Sequence, residues 1–542
     1  MSRPRPRTPG PRSLAARRPR REGMWLPDEA LFRVLHRPGA SIPLRFEQRD
    51  PGWDPLDLVE LLARDRPSFL LETAGGPPDL ERRTFLAWDP ETEFVLRRGW
   101  FETWSGGRRT SRVRALDPLR RLRSFLAQQG AATVPHAEGF AGGLVGYVSY
   151  ELKNYLERLP DTVRDDLGVP DLRFGFVRRV VAWDRRAGTL GLRYSIQCGE
   201  DARRDYARAR AEIESTLDML SQAAERARPA GKPAAATLPA RVGALRSNLS
   251  REGYDHMLAR AHEHILAGDI YQANLSHRFA AEFTGSGLAL YRRLREINPS
   301  PFACYLRFPD QEVVSCSPER LVKLEHGRVE TRPIAGTRPR GDDRAADRRL
   351  QRDLLTNEKE RAEHLMIVDM ARNDIGRVCE HGSVHVERFM RVEAYSHVRH
   401  LVSNVVGSLR SDCDAFDLLA AVFPGASITG VPKVRCMQII DALEDVRRGT
   451  YTGSAGWIGL DGGMDLNILI RTFLLQGGRA YFHVGGGIVA DSDAEREYQE
   501  TLSKGRALEE ALRAVAARPA IRRPARVRRS IDEQRLDGRS ER

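Results

Sequence analysis

A mixed fold of the α+β or α/β class is what the sequence predicts, and three observations carry it. Short strand-like runs separated by turns fill residues 25–221, a helical apolar period opens near residue 254, and strands and helices then alternate to about residue 512. At 542 residues the chain exceeds the size at which one core stops growing, so one large domain or two closely packed ones are expected.

Taken in order, residues 1–24 carry eight Arg and one Glu and read as a disordered Arg-rich tail. They have no apolar core of a secretory signal; a transit peptide and a start at Met24 are both compatible with them. In the region 25–221, Ser68–Thr73 reads as a buried strand. The run Gly139–Tyr147 has the glycines of a phosphate loop but neither its Gly-Lys-Ser/Thr ending nor its strand–loop–helix setting, so close backbone packing is expected. Residues 222–250 are rich in Ala and Pro without apolar period, as a linker would be. Tyr254, Met257, Leu258, Ala261 and Ile265 then recur at helical spacing and open the region 251–514. A second basic tail covers 515–542.

The net charge of +13 invites a nucleic-acid reading, but the first tail holds +7 of it and the second +5. The body is nearly neutral, so nucleic-acid binding by the body is not expected. No apolar run approaches the ~20 residues of a membrane helix, and no membrane role is expected. Cys198, Cys304, Cys316, Cys379, Cys413 and Cys436 lack paired spacing and suit a reducing cytoplasm.

Two acidic pairs stand out in the second half. Glu360 and Glu363 are three apart, as are Glu497 and Glu500, so each pair shares one helix face. Either alone is ordinary solvated surface; both in one cleft would supply hard oxygen ligands for Mg²⁺. Arg471 is expected to end a strand spanning Met464–Thr472, offering a guanidinium to a carboxylate. Gly485–Gly487 on the next strand would let backbone amides approach an anion, and Lys504 lies one helical turn beyond Glu500. Together these describe a site for a small polycarboxylate.

Six ordered motifs make the reading specific: Asp269–Leu275, Ser317–Arg320, Arg332–Arg338, Ala362–Asp374, Ser427–Lys433 and Glu497–Thr501. They resemble the motifs of the chorismate-utilising enzymes, the family of anthranilate synthase component I and aminodeoxychorismate synthase. The resemblance implies an α+β fold of two β-sheets packed as a sandwich with helices outside. It implies Mg²⁺ as cofactor, with Glu363 and Glu500 as direct ligands and Glu360 and Glu497 in support. Tyr451, Arg471, Lys504, Thr429 and the amides of Gly485, Gly486 and Gly487 correspond to chorismate-binding groups. His400, Gln272, Thr337 and Lys433 correspond to catalytic ones, with His400 near the departing 4-hydroxyl.

Within that resemblance, members that add water have lysine where this chain has Gln272, and a neutral amide is no base for water. Ammonia is therefore the expected nucleophile. Asn274, the run Asn298–Tyr305, Ser427–Gly430 and Asp465–Ile468 look more like aminodeoxychorismate synthases, which is the preferred expectation. Ala335 argues for anthranilate synthase instead, because many aminodeoxychorismate synthases carry a nucleophilic lysine there. The strand resembling Leu70–Ala74 contributes to a tryptophan pocket in both types, but Thr73 stands where serine is common, and no tryptophan binding is claimed. The chain has no Gly-x-Cys-x-Gly glutaminase motif, so glutamine-dependent activity would need a separate amidotransferase subunit.

Overall fold

The computed structural model describes residues 23–516 except 63–65, 78–79, 81–82, 133, 135–138, 228–239 and 396–397. Both basic tails therefore lie outside the described residues except at their inner ends. Met24 already belongs to a strand, Met24–Leu26, and residues 515 and 516 close the last helix, Ala494–Ala516.

Two antiparallel sheets, of fourteen and twelve strands, organise the molecule. In the larger, Ser68–Glu72 pairs with Phe302–Arg307, and the sheet continues through Gln311–Ser317, Thr472–Gln476 and Arg479–Ile488 to Gln272–Thr284. In the smaller, Ser454–Gly459 pairs with Gly143–Val148 on one side and Met464–Asn467 on the other. Strands from before and after residues 222–250 are thus hydrogen-bonded neighbours in both sheets, and the expected boundary does not divide two cores. Both ends of the expected linker 222–250 hold regular structure, and residues 228–239 within it lie outside the described residues. The helix Ala202–Ala227 runs into it because Leu217, Leu220 and Ala223 keep one buried stripe, and Arg241–Val242 and Arg246–Ser247 already pair with Gln272–Thr284.

The sheets face each other across Phe69, Val145, Tyr147, Leu306, Val313, Trp457 and Leu474. Helices cover the outer faces: Leu217, Tyr291 and Leu508 pack on the larger sheet, Leu122, Val368 and Leu419 on the smaller. This is an α+β sandwich with helices outside. The Gly139–Tyr147 run packs closely, as expected. A Cβ on Gly143, at φ +138°, would lie 2.3 Å from the Ile458 carbonyl oxygen, and one on Gly146 would lie 2.1 Å from that of Arg173. The predicted helix at Tyr254 runs over Arg251–Leu266, capped by Ser250 and burying Tyr254, Met257, Leu258 and Ala261. No helix among the described residues is long and apolar enough to cross a membrane.

Candidate active site

Both acidic pairs sit in first turns or near them, on helices that flank one cleft. The helix Glu358–Gly376 starts at Asn357, whose side chain accepts the Glu360 N–H. Glu363 Oε1 accepts from Gln272 Nε2 at 3.2 Å, which joins this helix to the strand Gln272–Thr284. Burial, and after it the charge of Glu360, push the Glu363 carboxyl above its ordinary range; Gln272 and Lys504 pull the other way. Glu360 is paired with Arg338 at 2.7 Å. On the helix Ala494–Ala516, Glu497 accepts from Ser492 Oγ at 2.6 Å, and burial raises its carboxyl too. Glu500 pairs with Lys504 at 2.8 Å, and the same ammonium donates to the Gly485 carbonyl at 3.0 Å.

No three of these four carboxylates have oxygens all within 4.8 Å of one another, so they make no closed metal cage. They fit Mg²⁺, which takes one or two direct carboxylates and fills the rest of its octahedron with water and an anionic substrate. Glu363 fits best: its hydrogen-bond partner is a neutral amide, and among the described residues no cation stands within ion-pair distance of it.

Beside His400, which Lys504 also reaches, is a cation of unusual setting. Arg471 does not end the strand as expected. The strand stops at Asn467, and Arg471 occupies the turn before Thr472–Gln476 with φ +51°. Its Nη1 donates to Asn298 Oδ1 at 3.3 Å, and no carboxylate among the described residues lies within ion-pair distance of it. Burial pulls its guanidinium below the ordinary value. Taking an ion out of water costs several kcal/mol unless an opposite charge offsets it, and the carboxyl acting on it, the buried Glu319, is itself pushed up to about 7, so the offset is partial. Gly485–Gly487 stand opposite Asn274–Ser276 on the strand Arg479–Ile488. A Cβ on Gly487 would meet Gln272 Nε2 at 2.2 Å, and one on Gly485 the Tyr451 hydroxyl at 2.7 Å. The glycines are needed for side chains to close over this strand.

The profile of the chorismate binding enzyme family matches residues 69–510. The chain belongs to the chorismate-binding enzymes. It is 39% identical over 472 residues to the anthranilate synthase component 1 of Aquifex aeolicus, covering 87% of this chain and 94% of that one. It is 39% identical over 399 residues to the aminodeoxychorismate synthase component 1 of Bacillus subtilis, covering 73% and 82%. The crystal structure of anthranilate synthase component I from Streptococcus pneumoniae matches with TM-score 0.66 at 34% identity, over 79% of this chain and 92% of that one.

In this chorismate-binding enzyme the remaining expected residues divide into two groups. His400 and Thr337 are brought together across the strands Ile334–Pro339 and Val398–Ser408, where a bulge at Gly336, φ +68°, shifts the register. His400 Nδ1 lies 3.0 Å from Thr337 Oγ1 and 3.2 Å from the Gly336 carbonyl. A carbonyl only accepts, so Nδ1 is assigned the proton and Nε2 is left as the bare nitrogen, buried and unpartnered. Burial, then Arg471, lower the imidazole to about 4. Tyr451 is buried and stacks on His483 with ring centroids 5.1 Å apart.

Lys433 and Thr429 are engaged elsewhere. The Lys433 ammonium is held by Asp374 at 2.6 Å and the Val422 carbonyl at 3.3 Å, and Thr429 Oγ1 donates to the Gly425 carbonyl at 2.8 Å. Both tie backbone segments together, and their polar atoms have partners without a substrate. Sequence reasoning assigned no role to Arg338, which neutralises Glu360, or to Asn298, which orients Arg471. Asn298-Pro-Ser-Pro was visible as a motif, but only the fold brings it beside residue 471.

Proposed function

We propose that this protein is the chorismate-aminating component of a two-component synthase, forming anthranilate and pyruvate from chorismate and ammonia. The observation that supports a polycarboxylate substrate is Arg471, a desolvated guanidinium with no carboxylate within ion-pair distance among the described residues, which acts with Lys504 on the buried His400. Anthranilate is favoured by Ala335, which is 8% exposed and pairs with Leu401 one residue from His400. It offers no nucleophile where the aminodeoxychorismate route in many relatives uses a lysine amine. The names of the Aquifex and Streptococcus relatives agree with this, and they reverse the preference drawn from the local motifs. Aminodeoxychorismate remains the second reading, favoured by Asn274, Asn298–Tyr305, Ser427–Gly430 and Asp465–Ile468 and by the Bacillus relative's name.

In this reading Arg471 and Lys504 hold the substrate carboxylates, with backbone amides of Gly485–Gly487 beside them. Glu363 and Glu500, with Glu360 and Glu497 in support, would hold Mg²⁺, which would supply Lewis-acid charge to a substrate carboxylate. Glu360 acts with Arg338 attached, so it orients rather than donating a full negative charge. His400 Nε2 accepts the hydrogen bond of the 4-hydroxyl. At about 4 the free imidazole holds no proton to give, so it becomes a general acid only when the substrate's anionic groups stand beside it and raise its affinity for a proton. Gln272 holds Glu363 in place and is no base for water, which leaves ammonia as the nucleophile. The component 1 names of the relatives support a separate amidotransferase as the ammonia source.

The test is product identification with purified protein, chorismate, Mg²⁺ and ammonium at alkaline pH. Fluorescent anthranilate with an equal yield of pyruvate is expected. A product that becomes 4-aminobenzoate only after an aminodeoxychorismate lyase is added would establish the second reading, and no Mg²⁺-dependent product from folded protein would overturn both.

A further inference from the structure

We propose that His36, Cys198 and Asp205 form a site for a thiophilic divalent cation, of which Zn²⁺ is the type, separate from the carboxylates of the cleft. Their ligand atoms all lie within 4.8 Å of one another, and among the described residues no other group of three or more His, Cys, Asp and Glu side chains does so. Each comes from a different segment. His36 caps the carboxyl end of the helix Glu29–Leu35, Cys198 follows the strand Thr189–Gln197, and Asp205 lies in the first turn of the helix Ala202–Ala227.

The backbone at these positions is fixed before any ion arrives. Cys198 N–H donates to the Ala40 carbonyl at 2.7 Å, Gly39 N–H to the Cys198 carbonyl at 2.9 Å, and Asp205 N–H to the Asp201 carbonyl at 2.9 Å. The side chains are buried, His36 to 8% exposure and Asp205 to 6%. Without an ion, His36 Nε2 meets Asp205 Oδ2 at 3.0 Å. Oδ2 also accepts from Gly199 N–H at 2.6 Å, and Oδ1 from Arg208 Nη2 at 3.1 Å.

Donor chemistry selects the cation. One nitrogen, one sulfur and one carboxylate oxygen suit Zn²⁺, with water completing a tetrahedron, and do not suit Mg²⁺ or Ca²⁺, which require oxygen. The Arg208 guanidinium on Asp205 offsets part of the carboxylate charge, which further disfavours a purely electrostatic site. On binding, the His36–Asp205 hydrogen bond breaks, the Cys198 thiol releases its proton to solvent, and Nε2, Sγ and a carboxylate oxygen each donate a pair to the ion. The thiol must lose its proton to bind, so affinity should tighten as pH rises.

The alternative is a hydrogen-bonded His–Asp pair that ties two helices together and binds nothing. Cobalt distinguishes the two, because only thiolate ligation gives an intense near-ultraviolet charge-transfer band, which the glutamates of the cleft cannot produce. Metal-free full-length protein titrated with Co²⁺ is expected to develop that band to one equivalent, to lose it to Zn²⁺, and to keep it in excess Mg²⁺. Cys198→Ser should abolish the band. Loss of even an outer partner of a metal ligand weakens binding ~10- to 100-fold, so His36→Ala should weaken it at least about tenfold. Circular dichroism and the melting temperature without metal verify that each variant is folded, and Asp205→Asn replaces any that is not. Absence of the band in the folded parent, or its persistence unchanged in a folded variant, would overturn the proposal.

Discussion

Arg471 and His400 are both side chains whose burial disfavours their charged forms. For Arg471, replacement by Met should raise KM for chorismate about 10- to 100-fold, the ~1.5–3 kcal/mol of a lost charge-assisted hydrogen bond. Melting temperature should change little, since Arg471 has no ion pair among the described residues and its charged neighbour Glu319 is itself held toward the neutral form by burial. A fall in stability together with unchanged KM would show that Arg471 is structural. His277 differs in kind, for its two nitrogens have partners in Ser247 Oγ at 3.0 Å and Thr501 Oγ1 at 3.1 Å. Burial lowers it from 6.5 to about 4. The unfolded chain therefore binds more protons between those values, and stability is lost as pH falls from about 6.5 toward 4. The loss is at most about 3 kcal/mol for this histidine. His277→Gln should flatten that part of a melting-temperature profile taken from pH 4 to 7. The buried acids Glu151 and Glu319, each raised to about 7 chiefly by burial, act with opposite sign but are common to both proteins and cancel in the comparison.

At the scale of elements, the cleft depends on where strands lack side chains or break register. The strand Arg479–Ile488 places Gly487 under Gln272, so Gly487→Ala would displace the Gln272 amide from Glu363. The clash is with the far end of a flexible side chain, so we expect less than about 1 kcal/mol in stability and a tenfold or greater loss of kcat/KM, checked by melting and by initial rates. Gly336 makes a different demand. Its φ is +68°, and a Cβ there would lie 2.8 Å from both Glu360 Oε2 and Leu354 Cδ1. Gly336→Ala should cost about 1–3 kcal/mol from backbone strain alone and lose activity, because the same bulge aims the Gly336 carbonyl at His400. Equal stability of the two variants in denaturant unfolding would contradict this distinction.

The whole molecule folds around two sheets that both halves of the chain build. Ser68–Glu72 is hydrogen-bonded to Phe302–Arg307, and Gly143–Val148 to Ser454–Gly459, so neither half retains a complete sheet alone. Calorimetry should therefore show one cooperative transition. A chain cut between residues 227 and 240 should elute from native gel filtration as one species, whereas separately migrating fragments would show that the halves are independent.

By itself the sequence determined the residue types and their local spacing. The acidic pairs at helical period, the glycine run of Gly485–Gly487, the apolar stripe from Tyr254 and the six motifs that carry the family were all legible, because helix faces and turn residues are set by neighbours three or four positions apart. The alternation of first-half and second-half strands was not, since pairing between residues more than 200 positions apart leaves no mark in local period. Arg338 on Glu360, Asn298 on Arg471 and Asp374 on Lys433, pairs 22, 173 and 59 positions apart, likewise came only from the tertiary structure. Lys433 shows the difference most clearly. The sequence places a lysine within a motif the resemblance makes catalytic, but only packing decides that its ammonium is already held by Asp374, while Arg471 has no carboxylate within ion-pair distance among the described residues.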